Sequence, residues 1–193
     1  MAEHCRIQFN TIFNSKKQVD NPLIKELMQW CTELSKANFA PDCSGNLSFR
    51  TKQGFIITTY MTDFSRISNE NFAEVLAVDA GKNQVIANGN KEPSSETFMH
   101  YAIYSQRNDV NAIFHAHSDE FLRNNDKLNL PETKEEKPAG SIELAQEVQS
   151  ILGNNNFILL KNHGFIALGD TIGSVGNLVM KRYNQLIRII PKT

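Results

Sequence analysis

The sequence predicts an α/β sandwich around a mostly antiparallel or mixed sheet, and three observations carry that reading. Candidate strands come in pairs joined by short turns, within residues 45–60, 74–90 and 157–169. Helical stretches interrupt these pairs without a regular strand–helix–strand repeat, which argues against a doubly wound parallel sheet. The chain has 193 residues, 40% of them apolar. That is enough for one domain with a proper core and short for two.

The elements follow in order. Residues 1–18 show little clear period and read as an N-terminal arm. Residues 20–39 read as a helix, with Asp20 or Asn21 as cap and Pro22 near the first helical position. Its apolar residues Leu23, Ile24, Leu27, Met28, Cys31 and Leu34 recur at helical spacing. Residues 45–60 read as two strands joined at Lys52-Gln53-Gly54, and 74–90 as a second pair turning at Asp79–Asn83. Residues 93–109 predict a helix capped by Ser94 or Ser95, with Phe98, Ala102 and Ile103 inward. "VNAIFHAHS", 110–118, reads as a strand. Residues 118–140 read as a short helix and an exposed loop, with the charged run 133–137 facing solvent. Residues 141–155 form a helix closed by Gly153, and 157–169 a strand pair around Asn162–Gly164. A last helix, capped by Asp170, buries Ile172, Val175, Val179 and Leu186. No repeat or biased tract marks a boundary, so the expectation is one domain over 1–193.

Composition excludes several classes. The formal net charge is −1, from 20 basic and 21 acidic residues, so nothing favours nucleic acid or an anionic membrane. No apolar run approaches the ~20 residues of a membrane helix, and the first residues lack the apolar core of a signal peptide. Cys5, Cys31 and Cys43 are an odd set without C-x-x-C spacing, which argues against a disulfide framework and a thiolate zinc site. The cytoplasm is the expected setting.

His115 and His117 stand two apart in "FHAH". On a strand they would project from one face, close enough to share a cation. With five histidines in 193 positions, an H-x-H arises by chance roughly one time in eight, so the pair alone decides little. His163, in "KNHGF" beside Gly164, is the best third ligand; His4 lies in the arm and is a poor one. Three imidazoles and an open position make a catalytic zinc set. Glu96 would sit in the first turn of its helix, where the dipole suits a carboxylate, with His100 one turn on. Taken on that helix alone, dipole complementation and core packing explain both.

Four motifs change the balance. "GNLSFR", "PSSETFMH", "VNAIFHAHS" and "LLKNHGFIALG" occur in this order and resemble the class II aldolase/adducin family over about residues 20–185. The resemblance implies a three-layer α/β/α sandwich with a largely antiparallel sheet, and a homotetramer with active sites between subunits. It implies His115, His117 and His163 as zinc ligands and Glu96 as a carboxylate that binds resting zinc and then acts as acid and base. Epimerase-type members carry Asp at that position, so Glu96 favours aldol chemistry. Gly45, Asn46, Ser94 and Ser95 match groups that hold a substrate phosphate.

Two departures stand out. The family reads "ITPTG" or "ITPSG" where this chain reads "ITTYM", 57–61. Tyr60 fills space a phosphate would use, and Met61 replaces a glycine, which argues against a positive φ there. The span between His117 and His163 is shorter than in the family's fuculose-phosphate enzyme and carries no tyrosine, the residue that protonates the sugar side of the cleaved bond. The resulting expectation is a zinc-dependent (or other divalent-metal) aldolase that cleaves a small hydroxy-ketone or sugar phosphate through an enediolate. Epimerase or dehydratase chemistry on the same site, a metal-binding pseudoenzyme and an adducin-like scaffold are the alternatives.

Overall fold

The computed structural model describes residues 6–189; His4 and Cys5 lie outside them. Among the described residues, eight strands form one sheet: β1 (Asn10–Ser15), β2 (Asn46–Arg50), β3 (Phe55–Thr58), β4 (Phe72–Asp79), β5 (Gln84–Asn88), β6 (Ala112–Ala116), β7 (Phe157–Leu160) and β8 (Gly164–Gly169). Their order across the sheet is β1-β5-β4-β3-β2-β6-β8-β7. Every pairing is antiparallel except β1 with β5.

The helices are α1 (Ile24–Lys36), α2 (Thr97–Gln106), α3 (Asp119–Arg123), α4 (Asn125–Leu128), α5 (Ile142–Leu152) and α6 (Ile172–Ile189). Helices α1 and α6 cover one face of the sheet. Leu27, Cys31, Leu34, Val175 and Val179 meet Leu47, Phe49, Phe114 and Phe165 there. Helices α2 and α5 cover the other face, where Phe98, Ile103, Leu144 and Val148 meet Ile57, Val85, Ile113 and Ile166. Strand alternation produces the division: Phe114 points to one layer, Ile113 and His115 to the other. The result is the three-layer α/β/α sandwich that the sequence predicts.

Three local expectations change. Residues 10–15 are no arm but strand β1, with Asn10 paired to Gln84. Its partner lies far down the chain, so no local period announces it. Just before it, Phe9 packs against Phe98 at 5.3 Å between ring centroids. Helix α1 begins later than its capping residues suggest: Asn21 Oδ1 accepts from the Leu23 N–H, a turn that precedes the helix. At α6, Thr171 rather than Asp170 accepts the Ser174 N–H, while Asp170 takes the Ser174 hydroxyl.

The margins of the sheet are finished differently. Along β7, Leu159 N–H donates to Pro131 O and Thr133 N–H donates to Leu159 O, so the 131–133 segment covers that edge. Thr133 is thus buried, while Lys134–Glu136 face solvent as expected. At the opposite margin, β1 is the last strand in the order.

Candidate metal centre

Three separate elements bring the histidines together. His115 ends the apolar run of β6 and is fully buried. His117 lies just beyond the strand, its N–H donating to Phe39 O at 2.8 Å. His163 sits in the turn between β7 and β8, its N–H donating to Leu160 O at 3.0 Å. The left-handed residue of that turn is Asn162, at φ 54°. Gly164 is needed for space. A Cβ there would stand 2.4 Å from Ala116 O and 3.1 Å from His117 Cδ2. We therefore expect Gly164→Ala to cost at least ~2 kcal/mol in urea unfolding and to weaken metal retention by displacing His117.

The ligand atoms of the three histidines all lie within 4.8 Å of one another. His115 Nε2 is 3.1 Å from His117 Nε2 and 2.9 Å from Glu96 Oε2. His163 Nε2 is 3.6 Å from Glu96 Oε1. His115 Nδ1 donates to Phe165 O at 3.0 Å, because a carbonyl can only accept. A neutral His115 therefore presents a lone pair at Nε2, facing a carboxylate oxygen and a second imidazole. Only a proton or a cation reconciles those atoms. Glu96 Oε1 is a buried carboxylate oxygen that no hydrogen-bond donor reaches among the described residues. A tetrahedral cation with M–N bonds of about 2.0 Å has ligand edges of about 3.3 Å. The donor set fits such a cation, with the backbone carbonyl behind His115 fixing its tautomer.

Electrostatics sort the protonation states. Burial opposes charge on Glu96, but with a proton on His115 Nε2 in the cation's place, His115 and His163, with hydrogen bonds from His115 and Asn46, outweigh it. They hold the carboxyl well below the ordinary carboxylate range. Burial, aided by repulsion from His115 and His163, pushes His117 down to about 3, against the pull of Glu96. Its ring is therefore neutral and able to ligate at neutral pH.

Glu96 is itself the N-cap residue of α2, where Ser94 or Ser95 was expected. Neither Ser94 nor Ser95 caps the helix; the Ser94 hydroxyl accepts the Glu96 N–H at 3.3 Å. Gly45, Asn46, Ser94 and Ser95 line the cleft that opens onto the histidines, with Tyr60 and Met61. Gly45 adopts φ 81°, and a Cβ there would meet His115 O at 2.9 Å. Met61 overturns one expectation: it holds φ 54° despite its side chain and is 54% exposed. Its side chain avoids crowding by pointing outward.

The His100 N–H donates to Glu96 O at 3.3 Å, but its ring turns to other partners. It is fully buried, with Nε2 2.6 Å from Asn46 Oδ1 and Nδ1 2.7 Å from Ser48 Oγ. Sequence reading missed Ser48 and Tyr104, which join this cluster. Burial, with His115 adding to it and Glu96 opposing, pushes His100 down to about 3. Below about 6.5 the unfolded chain protonates this histidine and the folded chain does not, so stability falls as pH drops from 6.5 towards 3. Unfolding free energies from urea titrations across that window are expected to fall more steeply for the parent than for His100→Gln, by about 1.4 kcal/mol per pH unit.

The sequence model of the class II aldolase and adducin N-terminal domain matches residues 25–122. The chain is 30% identical to an L-fuculose phosphate aldolase of Methanocaldococcus jannaschii, over 77% of this chain and 84% of that protein. It is 33% identical to one of Methanococcus maripaludis, over 83% and 93% of the two chains. Among solved structures, an L-fuculose 1-phosphate aldolase superposes with a TM-score of 0.73 at 26% identity, over 89% of this chain and 86% of that one. A sugar-phosphate aldolase from Thermotoga maritima gives 0.70 at 18% identity, over 86% and 94%, a likeness of fold.

Proposed function

Because the chain belongs to the class II aldolase and adducin family, we propose that it is a metal-dependent lyase. It cleaves a carbon–carbon bond in a small hydroxy-ketone or sugar phosphate. The observation that supports this best is the convergence of His115, His117 and His163 on the Glu96 carboxylate. The three imidazoles would hold the cation, with Glu96 as a displaceable fourth ligand. Zinc suits such a set. When bound, the cation supplies Lewis-acid stabilisation of the negative charge that develops on enediolate oxygens.

The chain's own residues supply the rest. As the carbon–carbon bond breaks, the hydroxyl on one of its carbons gives up a proton and becomes a carbonyl; ionised Glu96 would take that proton and deliver it to the other carbon, which the bond's electron pair has made an enediolate. Its burial keeps bulk water from competing for that proton. Gly45, Ser94 and Ser95 line the mouth beside the N-terminal end of α2, where the helix dipole suits an anionic or hydroxyl-rich substrate end. Tyr60 and Met61 wall the same mouth and limit what enters.

No helix among the described residues is long and apolar enough to cross a membrane. We place the protein in the cytoplasm as one domain, assembled as a homo-oligomer, a tetramer by family resemblance. The test is metal content by mass spectrometry on protein purified without a metal-affinity tag, then retro-aldol assays on phosphorylated and free hydroxy-ketones. About one divalent ion per chain and cleavage to two carbonyl-containing fragments are expected. A parent that binds no metal after incubation with zinc removes the lyase reading, and an epimerised or dehydrated product replaces it.

A further inference from the structure

Two rows of side chains meet between β2 and α2. Alternate residues of β2, Asn46, Ser48 and Arg50, face the helix. Every fourth residue of the helix side, Glu96, His100 and Tyr104, faces the strand. Two strand residues advance about 6.7 Å and four helical residues about 6.0 Å, so the rows stay in step over three rungs.

The contacts run without a break. Asn46 Nδ2 donates to Glu96 Oε2 at 2.8 Å, and Asn46 Oδ1 lies 2.6 Å from His100 Nε2. Ser48 Oγ lies 2.7 Å from His100 Nδ1 and 2.8 Å from the Tyr104 hydroxyl. Arg50 closes the row. Its Nη2 donates to Tyr104 O at 2.9 Å, and its guanidinium lies 4.6 Å from the Tyr104 ring centroid. Asn46, Ser48, Glu96, His100 and Tyr104 are all buried.

The chemistry of these groups fixes one direction. A carboxylate oxygen accepts, so the amide atom facing Glu96 is the N–H₂. The amide oxygen then faces His100, whose Nε2 must carry the hydrogen. His100 Nδ1 is left as a lone pair and takes the Ser48 hydroxyl hydrogen, and Ser48 Oγ accepts from Tyr104. Burial pushes the Tyr104 phenol well above its ordinary value, so that hydroxyl keeps its hydrogen. The opposite direction would need a proton on Glu96 and would turn the buried Tyr104 hydrogen away from Ser48.

We propose that Asn46 is a positioning residue for Glu96, locked in orientation by His100, Ser48 and Tyr104, rather than a ligand for the substrate's phosphate. Asn46 lines the cleft, yet its amide nitrogen is bonded to Glu96 and its amide oxygen to His100, whereas family resemblance would turn the amide towards substrate. The row clamps and does not conduct, because an amide N–H does not readily hand a proton onward. With the clamp in place, Asn46 always presents hydrogens to Glu96. Without it, the amide can rotate and present its oxygen, which repels the carboxylate. The functional part rests on Glu96 as the proton-transferring group of the proposed lyase.

Ser48→Ala breaks the row two links from Glu96, and Tyr104→Phe breaks it one link further. Nitrogen-15 spectra of the zinc-incubated protein read the His100 tautomer and the Asn46 side-chain amide directly, whether or not a substrate is known. The parent is expected to show a neutral His100 with hydrogen on Nε2. Ser48→Ala should move the Asn46 amide resonance and lower kcat about tenfold, with KM and metal content held within about twofold. Tyr104→Phe should move both in the same sense by less. Hydrogen on Nδ1 of His100, an Asn46 amide unmoved by Ser48→Ala, or a loss confined to KM would overturn the proposal. If the parent turns over no substrate, the lyase reading fails while the spectra still decide the clamp.

Discussion

Protein carrying alanine at both His115 and His117 is expected to retain less than about a tenth of the parent's divalent metal and to show no detectable lyase activity. His163 and Glu96 alone leave two ligands, too few for a closed tetrahedral set. The stability readout is sharper than the activity. The parent should gain about 2–3 kcal/mol when free zinc exceeds its Kd about a hundredfold, and the double variant should gain none. Both changes open space beside a buried carboxylate, so the fold must be checked separately by circular dichroism in metal-free buffer. A double variant that keeps metal at the parent's level would mean that the three rings are packed for another purpose.

Glu96→Gln is the second large effect, and it should separate binding from chemistry. Glutamine keeps the size of the side chain and can still accept from Asn46 through its oxygen. It cannot take a proton. Turnover is expected to fall about 10²–10⁴-fold, the range for a general acid–base group, while metal content stays near the parent's. Removing one buried charge from the cluster need not cost stability, since ion pairs in such places often do little better than neutral replacements. Equal turnover in the two proteins would move the proton-transfer role elsewhere and leave Glu96 a ligand only.

Much of the framework was legible because its contacts are local. The β2–β3, β4–β5 and β7–β8 pairs announce themselves by apolar runs broken at turn residues. Helices α1, α5 and α6 do so by spacing. The zinc-type histidines were legible as residue types in ordered motifs. Their geometry was less so: His115 and His117 were expected to share a strand, yet β6 ends at Ala116 and a bond to Phe39 holds His117 in place. Strand β1 was hidden because its pairing is remote. Met61 was misjudged because a side chain that points outward tolerates a backbone region that composition argues against. Ser48 and Tyr104 read as ordinary polar and aromatic residues. A signal for them did exist: polar residues two apart in one element, opposite titratable or hydroxyl residues four apart in another.

The parallel pairing of β1 with β5 bears on the order in which the molecule comes together and comes apart. Hairpins can zip from their turns, whereas β1 must wait until the β4–β5 ribbon exists and then close a long loop to reach it. It is joined to the sheet along one side only. Its amides are therefore expected to exchange with heavy water before those of β6, which is held on both sides. When β1 lifts away, β5 shows a bare row of backbone donors and acceptors, the kind of surface on which chains misassociate. The histidines sit across the sheet from this margin. The protein can thus fray and re-form at β1 while the metal centre stays intact.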